Sequence, residues 1–346
     1  MRGGLQTRIM LGACIALATA ACSGDVVVES KPGDGFEKVG SDPLLPLLEL
    51  SVDAPWTTTY QGTRRVEARY VAGGVETELA YRETVSADGT GNFAVETVDV
   101  LSFLSDPTTF LVTQDLREGF FYRYRDFAVR DLGAFYLAHV AIDLGTDVQI
   151  AGRTCQEILV QSEFPGQPSF QVALDVETGL VLRSIETDGY GVEVQRMEFE
   201  TFDPAPDLSG VAWFQPAIPE IALDLSGDLD AQVGFQVLSP SLLPDGYQPW
   251  KAATITEPGG REWVKQTYTD GVEPLFFFHS DAVQPVVPAG PSGSTAGTSA
   301  PLGDNLYVYA IGPVTVIEGH LRGHEVIALG KTDSDSMLDL LESAID

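Results

Sequence analysis

Positive charge is scarce in this chain. Its 346 residues carry 20 Lys plus Arg against 50 Asp plus Glu, a formal net charge of -30 with His neutral. Phosphate backbones are held by neutralising Lys and Arg, so nucleic acid is excluded as a partner. Anionic lipid head groups are repelled on average for the same reason. Cysteine is nearly absent: Cys14, Cys22 and Cys155 are all there is. Cys155 stands alone in the body of the chain and reads as a small buried hydrophobe, since a nucleophile would want a nearby His and none lies close in sequence. There is no Gly-x-Ser-x-Gly elbow, no phosphate loop and no Cys-x-x-Cys. No long hydrophobic run is present either, the apolar stretch Ile9–Ala18 being about half of what a bilayer-spanning helix needs. What the chain does have is a 44% hydrophobic content, ample for real cores, which rules out a disordered class.

Residues 1–21 have the layout of an export signal, with Arg2 and Arg8 ahead of the apolar run and small Thr19-Ala20-Ala21 at its end. The run Thr19–Cys22 resembles the bacterial lipobox, Thr19 standing where an aliphatic residue is usual, so Cys22 is the expected lipid anchor and the membrane attachment. The alternative, a plain signal that leaves Cys22 as a free thiol, is disfavoured because exported proteins seldom keep an odd exposed cysteine. Once Cys14 leaves with the signal and Cys22 is acylated, no intrachain disulfide is available. The expected location is the envelope of a Gram-negative bacterium, facing the periplasm, with Ser23 after Cys22 pointing to the outer membrane. Residues 22–44, rich in Gly, Asp, Glu and Pro, read as a flexible tether.

The folded body begins with a large domain over 45–205, opened by a short helix that Pro55 ends. Residues 63–101 read as three strands joined at Gly73-Gly74 and Asp88-Gly89, and 148–202 as a four-strand β-meander. In the meander Phe170, Val172, Leu174 and Val176 alternate with Gln171, Ala173 and Asp175, the period of two of a sheet with one buried face. Its turns fall at Pro165-Gly166, Glu177-Thr178-Gly179 and Asp188-Gly189, where Gly supplies positive φ. Near Arg196 the apolar phase slips from Val192 and Val194 to Met197 and Phe199, which predicts a β-bulge and a curved sheet.

A curved sheet must cover its apolar face. Residues 101–116 are the predicted covering segment, and Phe103, Leu104, Phe110 and Leu111 are candidates to line a ligand cavity, with ordinary core as the competing reading. Strand structure is predicted from Arg117 to Val140. There Arg117, Arg123, Arg125 and Arg130 are interleaved with Phe120, Phe121, Tyr122, Tyr124 and Phe127. These arginines are candidates to contact an acidic head group or peptide. The plainer reading is a solvated strand face paired with some of the many acids. Residues 206–232 form a linker, the stretch from Asp203 to Gln232 holding four Pro and no Lys or Arg. A small domain follows over 233–346, with strands in 261–268, 275–280, 306–311, 314–317 and 325–329, a Pro/Gly/Ser-rich loop at 284–304, and an amphipathic helix over 333–345.

Catalytic and metal signals are thin. His320 and His324 have the spacing of a helical metal pair, but Gly319 and Gly323 and flanking strands argue for a hairpin instead. His139 and His279 sit beside aromatic runs and read as packed side chains. No metal, no cofactor and no catalytic residue is assigned. Fifty carboxylates guarantee chance pairs, so a glycosidase is not excluded by counting, yet nothing selects one pair.

Several segments together resemble the RseB/MucB family of periplasmic regulators: Ile150–Val160 (IAGRTCQEILV), Leu174–Phe202 with its acidic-Thr-Gly turn, Leu238–Tyr247 (LSPSLLPDGY) and Tyr268–Phe278 (YTDGVEPLFFF). The resemblance implies an α+β protein: a strongly curved antiparallel sheet, a half-open β-barrel like that of the lipoprotein carriers LolA and LolB, covered by helices, plus a small α+β C-terminal domain. It also implies a binding protein rather than an enzyme, one that takes a lipid or acylated ligand. Its implied protein partner is the periplasmic domain of an anti-sigma factor, regulated in envelope stress signalling. A LolB-like lipid carrier or receptor is the first alternative and an envelope hydrolase the second. The strong negative charge and the lipid anchor depart from the family pattern, so a partner would have to be basic at the contact.

Overall fold

A computed structural model describes residues 42–72, 75–103, 125–213, 220–256, 260–281, 306–311 and 314–344. Two antiparallel sheets dominate. The first is built from β1 (Thr59–Ala72), β2 (Val75–Asp88), β3 (Phe93–Phe103), β4 (His139–Ile150), β5 (Arg153–Ser162), β6 (Ser169–Asp175), β7 (Val181–Thr187) and β8 (Glu193–Phe199), with helix α1 (Leu45–Thr57) before β1 and α2 (Leu132–Ala138) before β4. Its order is β3-β2-β1-β8-β7-β6-β5-β4. The sheet is therefore two meanders joined by the β1–β8 pair, and among the described residues it is open, with β3 and β4 at its edges.

The predicted strands recur closely, and the deviations have local causes. Helix α1 runs through Pro55 rather than ending there. Proline removes a single N–H from the last turn, and that turn still closes with the Thr58 amide donating to Ala54 O at 3.1 Å. The strand predicted from Arg117 to Val140 is part helix, because Asp131 caps α2 by accepting from the Ala134 amide at 2.7 Å. The bulge predicted near Arg196 lies between Glu193 and Gln195, where the register against β7 shifts. After it Gln195, Met197 and Phe199 all face the interior. At the Asp188-Gly189 turn the positive φ falls on Gly191, at 84°; Gly189 is there for space, since a Cβ on it would stand 2.0 Å from Gly166 O.

Leu44 and Leu48 of the α1 end share one core with Phe135 of α2 and with Ile158, Val160, Phe170, Val172 and Leu174 of the sheet. A second cluster joins Ala54, Tyr60, Val66, Tyr81, Val85, Phe93, Leu182, Met197 and Phe199.

The other sheet has the order β13-β14-β15-β12-β11-β10-β9, formed by β9 (Glu220–Leu223), β10 (Gln248–Thr256), β11 (Glu262–Thr269), β12 (Pro274–Ser280), β13 (Leu306–Ile311), β14 (Val314–Leu321) and β15 (His324–Gly330). Its edge strand β9 comes from the stretch read by composition as linker, and α3 (Leu229–Val233) follows it. The terminal helix α4 (Ser334–Ser343) is capped by Asp333, whose Oδ1 accepts from the amides of Asp335 and Ser336 at 3.0 and 2.9 Å. Its Met337, Leu340 and Leu341 pack on Leu275, Phe277, Ile317 and Val326. Among the described residues no helix is long and apolar enough to cross a membrane.

Candidate binding surface

The residues predicted to touch a ligand separate sharply. Cys22, Leu104, Phe110, Leu111, Arg117 and Arg123 lie outside the described residues. Phe103 ends β3 opposite Leu79. Arg125 and Arg130 are described, and both are turned inward.

Arg125 is 5% exposed and belongs to a buried ion cluster on the interior of β1 and β2. Its guanidinium meets Glu83 Oε1 and Asp126 Oδ1, each at 2.7 Å, and donates to the Tyr81 hydroxyl. Arg64 closes the ring, at 2.7 Å from Glu83 and 2.8 Å from Asp126. Two cations meet two anions, so the cluster is neutral overall, the condition for holding charge in a core. Burial alone would raise the Glu83 and Asp126 carboxyls, but Arg125 and Arg64 more than offset it and hold both below the ordinary range. An arginine so committed has no fork left for an external head group. Charge alternating with aromatics reads as a solvated face on sequence grounds; the tertiary pairing of Glu83 with Arg125 is invisible there.

Arg130 marks the junction of the two sheets. Its Nε donates to Val272 O at 2.7 Å, its Nη2 to Asp126 O at 3.2 Å, and its amide to Gly271 O at 2.8 Å. Residues Asp270–Glu273, the turn between β11 and β12, thus dock against the segment leading to α2. Val272 is fully buried in the same core as Phe135 and Phe170. Gly271, at φ 95°, lies so close that a Cβ would stand 2.2 Å from the Phe135 amide nitrogen. On the other side of the turn His139 Nε2 approaches Asp270 Oδ2 at 3.5 Å.

Lys331, just beyond β15, completes the junction. Its ammonium donates to Glu186 of β7 at 2.8 Å, to Glu273 at 3.0 Å and to Arg125 O at 2.9 Å. One cation serves two buried carboxylates, so one of them is under-compensated. It is Glu273, whose second oxygen has no hydrogen-bond partner. Burial first, and then the neighbouring Glu186, push its carboxyl up to about 7 despite Lys331. Lys331 itself is held above its ordinary value, because the two carboxylates outweigh its burial. This part of the boundary between the sheets is a packed, charged clamp rather than an open cleft.

Exposed apolar surface lies elsewhere. On the free edge β4, Val140, Ile142 and Leu144 are 43%, 39% and 38% exposed, and Leu137 just before them is 64% exposed. A depression of about 390 Å³ is lined by Arg65, Arg196, Glu198 and Glu200 among others. Its lining mixes charges of both signs with the apolar Ile150, Ala151 and Phe199. His320 and His324 flank a hairpin turn, Arg322 and Gly323 both having positive φ, so they are not a helical metal pair. Among the described residues no group of three or more His, Cys, Asp or Glu is placed to hold a metal.

Residues 56–217 match the family model of the MucB/RseB N-terminal domain. A search of curated proteins finds no match. Among solved structures, the chain is similar to MucB in complex with MucA(peri), at 16% identity over 86% of this chain and 97% of that one, with a TM-score of 0.47. It is also similar to MucB in the Pseudomonas aeruginosa MucA/MucB complex, at 17% identity over 87% and 96% with a TM-score of 0.45. For MucB alone the figures are 16%, 88%, 98% and 0.45. The domain match spans the eight-stranded sheet from the end of α1 to beyond β8, and through it this part of the chain is a MucB/RseB N-terminal domain.

Proposed function

We propose that this protein works by binding, as an envelope regulator that holds the periplasmic segment of an anti-sigma factor. The observation that carries the reading is the MucB/RseB N-terminal domain over residues 56–217, and the solved MucB complexes with MucA indicate the kind of partner. The charge supports a partner that is basic at the contact, since a surface at -30 attracts Lys- and Arg-rich segments and steers their approach. Catalysis has no support among the described residues, where the buried titratable groups named above are tied into ion pairs within the fold.

In this reading residues 1–21 direct export, Cys22 carries a lipid, and the residues from Ser23 up to Asp42 tether the body to the periplasmic side of the outer membrane, while Leu44 already belongs to the core. An acylated ligand remains part of the proposal through the segment around Phe103, Leu104, Phe110 and Leu111. The described interior of the first sheet is filled by its own side chains, which supports protein binding over lipid carriage. The test is calorimetric titration of the purified chain with the periplasmic segment of the anti-sigma factor from the same cells. Saturable one-to-one binding that weakens with added salt is the expected result. No binding, with the chain still folded, overturns the reading. Native mass spectrometry of chain purified from its own envelope tests the lipid, which should appear as a stoichiometric acyl ligand.

A further inference from the structure

We propose that β4 accepts an extended segment of a basic protein partner as an added strand on the open sheet. The inference rests on reading the chain as a binding protein and names how the contact is made. Among the described residues β4 is the last strand in the order and pairs only with β5, so every second residue along it turns an N–H and a C=O away from the sheet. Natural sheets blunt such edges with Lys, Pro, bulges or cover. Between His139 and Ile150 there is no Lys and no Pro. The one interruption is the register shift between Asp143 and Asp147, around Gly145 at φ 70°. That leaves His139–Asp143 as a regular run of about the length of an ordinary short strand.

Its side chains say what would bind. Val140 and Ile142 point to one face at alternate positions, both substantially exposed, and Leu144 extends them into the bulge. Asp143 and Asp147 are exposed at the end of the run. A strand laid beside this edge places apolar side chains against Val140 and Ile142 and gains from Lys or Arg opposite the aspartates. The occupant is therefore a segment alternating apolar and basic residues. A second copy of this chain is the wrong occupant, because two bodies each at -30 would bring like-charged aspartates together at the edge.

The experiment uses the full chain and two acetylated, amidated heptapeptides: alternating Lys and Leu, and the same peptide with Pro for its central Leu. Hydrogen exchange read by mass spectrometry should show the alternating peptide slowing exchange over residues 139–143, and the Pro-containing peptide leaving it unchanged. V140K/I142K should weaken that binding tenfold or more, whereas V140T/I142T, which keeps β-branched side chains at both positions, should retain it. Equal binding of both peptides would mean charge alone and would overturn the proposal. So would protection confined to other segments, slow exchange in the free monomer of the 139–143 amides that face away from β5, or dimerisation that V140K/I142K abolishes. The partner reading is separable. If the anti-sigma segment binds V140K/I142K as tightly as the parent chain, the edge proposal falls and the partner stands; if it binds neither form while the heptapeptide still adds to β4, the partner reading falls instead.

Discussion

Replacing Glu273 by Gln should flatten the acid side of the stability profile. Glu273 is fully buried at the sheet junction and shares Lys331 with Glu186, so its carboxyl is pushed up to about 7 from an ordinary 4.5. The folded protein therefore holds a proton that the unfolded chain has already released. Stability from this group is complete below pH 4.5 and is lost as pH rises to about 7. At 1.36 kcal/mol for each pH unit, the gap is worth about 3 kcal/mol. Gln keeps an acceptor for Lys331 but sets an NH2 where Oε2 has no partner, which costs about 1 to 3 kcal/mol at every pH. The absolute stability of the variant is thus not the test; its slope is. Urea unfolding at half-unit steps from pH 4.5 to 8 should show the variant gaining about 3 kcal/mol on the parent chain across that window. Parallel profiles would refute the reasoning, and would mean that Lys331 neutralises both carboxylates.

His279 titrates with the opposite sign. Burial holds its imidazole down to about 3 from 6.5, so the unfolded chain takes up a proton first and stability falls below pH 6.5; H279F should recover about 2 kcal/mol at pH 5 and little at pH 8 in the same unfolding assay. Gly271→Ala adds a methyl against the Phe135 backbone at a positive φ and should cost about 2 kcal/mol or more, with the β11–β12 turn becoming the first site cut in limited proteolysis. Cys155 is buried, and burial followed by the Asp175 charge pushes its thiol up to about 12. Iodoacetamide at pH 8 should leave it unmodified in the native protein, where only roughly one thiol in ten thousand is ionised, and label it on unfolding in urea.

How much was legible beforehand divides along the range of the interactions involved. Most strands of the first sheet, strands β11 to β15 and the β8 bulge came from period-two alternation and Gly-containing turns, and the terminal helix from its acidic cap and apolar stripe, signals that local stereochemistry writes into neighbouring residues; β10 carried no such signal. The short helix α2 was missed because its one clear mark, the Asp131 cap, sat inside a run rich in aromatics. Strand β9 was missed because four residues joining another strand's edge carry no pattern of their own.

Composition and local spacing by themselves determined that this is an acidic protein rich in antiparallel strands whose sequence carries no familiar catalytic motif, because charge and hydrophobic period are properties of the chain before it folds. Only the tertiary structure decided what Arg125, Arg130, Lys331 and Glu273 do. Each owes its role to partners from distant segments: Arg125 to Glu83 on β2, Arg130 to Val272, Lys331 and Glu273 to Glu186 on β7. The same holds for β4, of which sequence suggests only the start, at His139 and Val140. That it lies at an edge follows from which strands pair, and pairing is fixed by the packing of the whole sheet.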